Sequence, residues 1–247
     1  METQGERLYN QVLEEAATDP NIIGLILAAG RGKGFATEDS DYDLLLIVKD
    51  GKGDQYRVKC AEYNIENLFD IRTFALLEFR EHAALGSPTE WDRYNFAHLK
   101  AVVDKTGEIQ PLIDEKATLP PKKVNDLVDY CLDAYINSYY RSIKNHRAGN
   151  HLAAHLDAAE SVPHLITALF ALEGKVKPYN KYLGWELQNF PLAKLPWEAQ
   201  DFLQKIATIV TSGDFATQRE VFRAACQIFK ASGHAGAIAK WDGYYLG

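Results

Sequence analysis

Hydrophobic and polar positions follow two regimes along the chain, and the change comes at Leu119-Pro120-Pro121-Lys122. Before it, Leu8, Val12, Leu13 and Ala16 recur at helical spacing and predict a leading helix over residues 2–18. Ile22–Leu27 and the stretch from Asp41 to Val48 are short apolar runs that read as strands. From Leu68 to Thr73 apolar and polar residues alternate, so Asp70 and Arg72 share one face of a strand while Phe69 and Ile71 share the other. Residues 56–63 also read as a strand, 74–84 as a helix, and 101–107 as a short strand and turn. Residues 88–99 carry Trp91, Tyr94 and Phe96 without a clear period.

After Pro121 the period becomes helical throughout. Val124, Leu127, Val128, Cys131, Leu132, Tyr135 and Ile136 form one stripe, and Leu165, Ile166, Leu169, Phe170 and Leu172 another. The expectation is an α+β chain: a small mixed β-sheet domain over residues 1–119, then an all-α helical bundle domain over residues 120–247.

Composition narrows the function. A chain of 247 residues with a formal net charge of −7 is poorly suited to tracking a polyanion, so a small molecule is favoured over nucleic acid as the partner. Cys60, Cys131 and Cys226 are scattered and odd in number, as expected of reduced thiols in a cytoplasm. No apolar run approaches the ~20 residues of a membrane helix, and the first residues lack the basic-then-apolar pattern of a signal peptide.

The chemistry concentrates between residues 27 and 48. Asp41 and Asp43, two residues apart at the entry of a strand, project onto the same face and suit a divalent cation. Upstream, Gly30, Gly32 and Gly34 read as a flexible turn whose N–H groups can approach a phosphate, with Arg31 and Lys33 adding positive charge. The spacing does not match a dinucleotide-binding Gly-x-Gly-x-x-Gly, and Lys33 is followed by Gly, not by the Ser or Thr of a Walker A loop.

The strand, the Ala29-Gly30 turn and Ser40-Asp41-Tyr42-Asp43 resemble the signature of the nucleotidyltransferase superfamily that includes DNA polymerase β and the antibiotic nucleotidyltransferases. Gly30 stands where that family commonly has a serine. The resemblance implies a cytoplasmic, Mg²⁺-dependent enzyme that moves a nucleoside monophosphate from a nucleoside triphosphate such as ATP to a hydroxyl of a small-molecule acceptor, for example an aminoglycoside or lincosamide. It implies that Asp41 and Asp43 bind metal with a third carboxylate from a neighbouring strand, for which Asp70 is the best candidate beside Glu62 and Glu66. It also implies that Gly30–Gly34 and Ser40 lie against the phosphates, and that the acceptor lies in a cleft between the two halves.

Three patches of the helical half are candidates for supplementary roles. Arg141 and Lys144 share a helix face and suit phosphate. Asp157 and Glu160 share another, where one of them can act as a general base, or the two can be a surface acid pair or a partner for Arg141. Lys181, in the turn after Gly174, resembles a lysine-bearing turn of small-molecule nucleotidyltransferases. Two rival readings stand beside the transferase. Arg141 and His146 fit the short Arg-x4–6-His pattern of HEPN-type ribonucleases of toxin–antitoxin systems, and the absent turn serine fits an inactive nucleotide-binding relative.

Overall fold

The computed structural model describes residues 2–37 and 40–244; residues 1, 38, 39 and 245–247 lie outside the described residues. The protein is α+β, and its chain divides into two compact units, residues 1–118 and 119–247.

The first unit is built on a four-stranded mixed sheet of order β3-β2-β1-β4. Strand β1 (Ile22–Leu27) runs antiparallel to both β2 (Tyr42–Val48) and β4 (Ala101–Asp104), whereas β2 and β3 (Phe69–Ala75) are parallel. A parallel pair needs a crossover, and helix α3 (Gly53–Ala61) supplies it. The sheet is covered on both faces, which is why β1 and β2 are almost uniformly apolar. One face packs Tyr42, Leu44, Leu46, Phe69 and Ile71 against Val12 and Ala16 of α1 (Gln4–Thr18) and against Tyr56 and Cys60 of α3. The other packs Ile23, Ile26, Leu45 and Ile47 against Phe79 of α4 (Leu76–Glu81), Phe96 of a 3₁₀ helix (Glu90–Phe96), and Ile109 and Ile113 of α5 (Ile109–Ala117). Gly24 permits that approach: a Cβ there would sit 2.7 Å from Ile109 Cγ1.

Two expectations for this unit are corrected. Residues 56–63 are not a strand: residues 56–61 belong to α3, because the buried positions Gly53, Tyr56 and Cys60 follow a helical and not a two-residue period. The glycine-rich run is not a flexible turn but a short helix, α2 (Ala29–Lys33), that ends at Gly34 with φ 81°.

The second core contains charge. Lys33, Arg93 and Lys116 are all buried, and each reaches backbone carbonyls. Arg93 donates to the carbonyls of Ala83, Glu115 and Thr118, and Lys116 to that of Arg80 at 3.1 Å, with its ammonium also over the Phe79 and Phe96 rings. Carbonyl dipoles stabilise a buried cation, but they do not restore its full hydration.

The second unit is all helical. Helices α6 (Pro121–Arg147) and α7 (His151–Ala171) form a hairpin around Gly149, whose φ of 76° suits glycine. Helices α8 (Leu183–Asn189), α9 (Ala199–Ser212), α10 (Phe215–Ala231) and α11 (Ala235–Ala239) complete a single apolar core in which the Tyr139 and Phe222 rings stack 4.1 Å apart.

Burial lowers the Lys116 ammonium from its ordinary 10.5 to about 8. Between those values the unfolded chain binds the proton more tightly than the folded one, so the Lys116 contribution to stability rises with pH across this window. Wild type should therefore gain on Lys116→Met from pH 7.5 to 10.5, by up to about 3 kcal/mol at ~1.4 kcal/mol per pH unit. Urea midpoints of both proteins across this range measure it, and a flat difference would contradict the burial of this charge.

Candidate functional site

Asp43 and Asp70 are directly opposite each other in the parallel β2–β3 register. Paired residues of adjacent strands point to the same face, and in a parallel pair both are at the same end of the sheet. Asp41, one residue before β2, has the parity of Asp43. Asp41 and Asp70 are exposed and Asp43 is half-buried. The fold thus brings two of the three expected carboxylates into register on one face, with the third on the approach to it.

The β1–α2 connection ends beside them. The Ala28 N–H donates to the Asp43 carbonyl at 2.8 Å, extending the β1–β2 pairing by one step, and Ala29 then takes a φ of 45° to start α2. Gly32 packs against the end of β1 so closely that a Cβ would lie 2.0 Å from the Leu27 carbonyl oxygen. Gly30 is less constrained, a Cβ there meeting the Phe35 ring at 3.3 Å.

The cations expected to meet phosphate have other partners. Arg31 donates through Nε and Nη2 to the Ser40 carbonyl at 3.1 and 2.6 Å, and through Nε to that of Asp41 at 3.1 Å. Its guanidinium also lies 3.9 Å from the centre of the Tyr42 ring. It clamps the approach to β2 and so positions Asp41. Lys33 is corrected outright: its ammonium is buried and donates to the carbonyls of Tyr94, Asn95 and Ala97, which ties α2 to the 3₁₀ helix. Ser40 is likewise engaged, its Oγ accepting the Thr37 N–H at 2.9 Å.

Arg72, on the face of Asp70, lies 3.6 Å from the carboxylate of Asp92, which is 2% exposed. Asp92 also meets His82 Nε2 at 2.7 Å and accepts from the Asn95 amide. This His82–Asp92–Arg72 cluster was not visible in the sequence, because its members come from three elements with no shared spacing.

Among the described residues, no three His, Cys, Asp or Glu side chains are gathered into a ready metal cage. What the backbone register supplies is hard oxygen ligands converging on one strand end, the donor type that Mg²⁺ takes in ones and twos beside substrate phosphates and water.

In the second unit, Arg141 pairs with Asp157 at 3.0 Å and with Glu160, while Asp157 also accepts from the Asn145 amide at 2.8 Å. The proposed general bases are therefore a salt-bridge network joining α6 to α7, and Arg141 is no longer offered to phosphate or to an RNA-cleaving centre. His146 stacks on Phe215 with centroids 5.6 Å apart. Lys144 and Lys181 are exposed, the latter 5.4 Å from the Tyr182 ring centre.

No family model and no curated protein matches the chain. Among solved structures it is similar to a nucleotidyltransferase-like protein from Exiguobacterium sibiricum 255-15, at 12% identity over 96% of this chain and 77% of that one, with a TM-score of 0.43. A likeness at that level carries no inference about chemistry.

Gly32→Ala should destabilise the protein by about 2 kcal/mol or more, because the new Cβ meets backbone that cannot swing aside. Gly34→Ala, which meets open space at φ 81°, should lose only the ~1 kcal/mol of a left-handed residue. Urea unfolding of the two variants separates them, and equal losses would refute the close packing at Gly32.

Proposed function

We propose that the protein is a nucleotidyltransferase that uses Mg²⁺ and a nucleoside triphosphate, ATP being the first to test, to place a nucleoside monophosphate on a hydroxyl of a small-molecule acceptor. The observation that supports this reading most directly is the in-register pair Asp43 and Asp70, with Asp41 at the same strand end.

Asp41, Asp43 and Asp70 are the residues that would hold the cation. When bound, Mg²⁺ neutralises triphosphate charge and lowers the pKa of an attacking hydroxyl. The chain's own part is positional. The parallel register holds Asp43 and Asp70 together, Arg31 fixes the backbone at Ser40 and Asp41, and Gly32 lets α2 start close against the end of β1. Arg72, steadied by Asp92, is the cation that shares the Asp70 face. Asp157 and Glu160 have no base role in this reading, since Arg141 engages both.

The test combines binding with turnover. Mg²⁺ and ATP together should raise the melting temperature more than either alone, because a ligand specific to the folded state stabilises it by mass action. Transfer of labelled nucleotide to a panel of aminoglycosides, lincosamides and other polyols, read by mass shift, should identify the acceptor. Asp43→Asn and Asp70→Asn should each reduce turnover more than a hundredfold, beyond the ~10–100-fold typical of losing an outer-shell partner. Both should fold normally, since removing one of several like charges relieves repulsion. Near-wild-type turnover in either variant would exclude that residue from the metal set.

A further inference from the structure

The second unit carries an open cavity of about 520 Å³ between the segment leading into α9 and the face of α10, lined by Pro196, Trp197, Arg219, Glu220, Arg223 and Gln227 among others. That volume is in the range of small-molecule sites, ~300–1,000 Å³. Its charge is the unusual part. Arg219 and Arg223 lie four residues apart on one helix face, so their guanidinium groups are neighbours.

Other arginines are neutralised within the fold: Arg57 by Asp54 and Glu78, Arg80 by Glu108, Arg141 by Asp157 and Glu160. Arg219 and Arg223 have no hydrogen-bond or ion-pair partner among the described residues. The nearby acid, Glu220, is paired with Lys205 at 2.8 Å and so does not cancel them. Arg219 is braced, its guanidinium 5.5 Å from the Phe215 ring centre, and its Nε is buried without a hydrogen bond. A buried donor left unpaired is costly, and an oxyanion entering the cavity brings the acceptor that the fold does not. Arg147 adds to the same field, acting together with Arg219 and Arg223 on the Tyr139 hydroxyl.

Trp197 and Pro196 form the apolar side. The indole stacks on Phe202 at 6.1 Å with an interplanar angle of 8°, which fixes it as a flat wall and not a mobile side chain. Two guanidinium forks beside a rigid aromatic wall match a ligand with an oxyanion at one end and a planar ring at the other. A cavity of this size takes a small molecule, not a nucleic-acid polymer.

We propose that this cavity is a binding site for a phosphate monoester that carries a planar aromatic ring, with the phosphate on Arg219 and Arg223 and the ring against Trp197 and Pro196. The cavity is lined by residues of the second unit, and the proposal does not depend on the role of the strand-end carboxylates.

Adenosine monophosphate in EDTA, which removes divalent cations from the strand-end site, is the probe, measured by calorimetry on the full-length protein. It should bind wild type with a submillimolar Kd, and Asp43→Asn equally well. Arg219→Gln and Arg223→Gln should each weaken it at least tenfold, and Trp197→Leu should weaken it while leaving the weaker binding of inorganic phosphate unchanged. Adenosine, lacking the phosphate, should not bind. Melting curves of each variant in buffer check that the bundle is intact. Absence of binding at millimolar concentration, or binding that survives loss of both arginines in a folded variant, would overturn the proposal. So would binding of inorganic phosphate as tight as that of the nucleotide.

Discussion

The parallel pairing of β2 with β3 is the constraint on which the first unit depends. Its register is enforced from the side of the sheet that carries no chemistry. Tyr42, Leu44 and Leu46 on β2 and Phe69 and Ile71 on β3 bury into the same core with α1 and α3. Because side chains alternate, a slip of one residue would turn that apolar set outward and bury Asp70 and Arg72 in its place. Hydrophobic burial on one face thus fixes carboxylate positions on the other. The candidate site inherits its precision from the core, and not from contacts among its own charged residues.

The opposite core solves a different problem, that of burying cations. Lys33, Arg93 and Lys116 are accommodated by carbonyl groups, many from the 3₁₀ helix and the segments around it. A 3₁₀ helix leaves carbonyls poorly satisfied at its end, and Lys33 meets three of them at once. This is why a stretch rich in aromatics but without any period is nonetheless ordered: its structure comes from long-range donors and not from local spacing.

What the sequence made legible follows the same division. Strands β1, β2 and β3 were readable because burial on one or both faces leaves a pattern along the chain, and Asp41, Asp43 and Asp70 were readable because parity assigns faces. Helix α3 was misread because its residues alternate locally, as Tyr56, Val58 and Cys60 do, and only the helical spacing of the buried positions settles it. Helix α2 was missed because its glycines serve a contact with the Leu27 carbonyl that no local pattern records. Helix α5, held by Ile109 and Ile113, is too short to show a convincing period. The pairing of Asp157 and Glu160 with Arg141 was one of two readings that the spacing allowed, and only the hairpin geometry chose between them.

The destination of each cation is what distinguishes structural from functional charge here. Arg31 and Lys33, the two basic residues of the glycine run, are directed to backbone carbonyls, and Arg72 to Asp92. Those three positive charges are thereby fixed in place within the fold, while the register keeps Asp43 and Asp70 together at one end of their strands. Carboxylates held in register by a core on the far side of the sheet cannot relax by moving apart, and a divalent cation is the group that the proposed function would place between them.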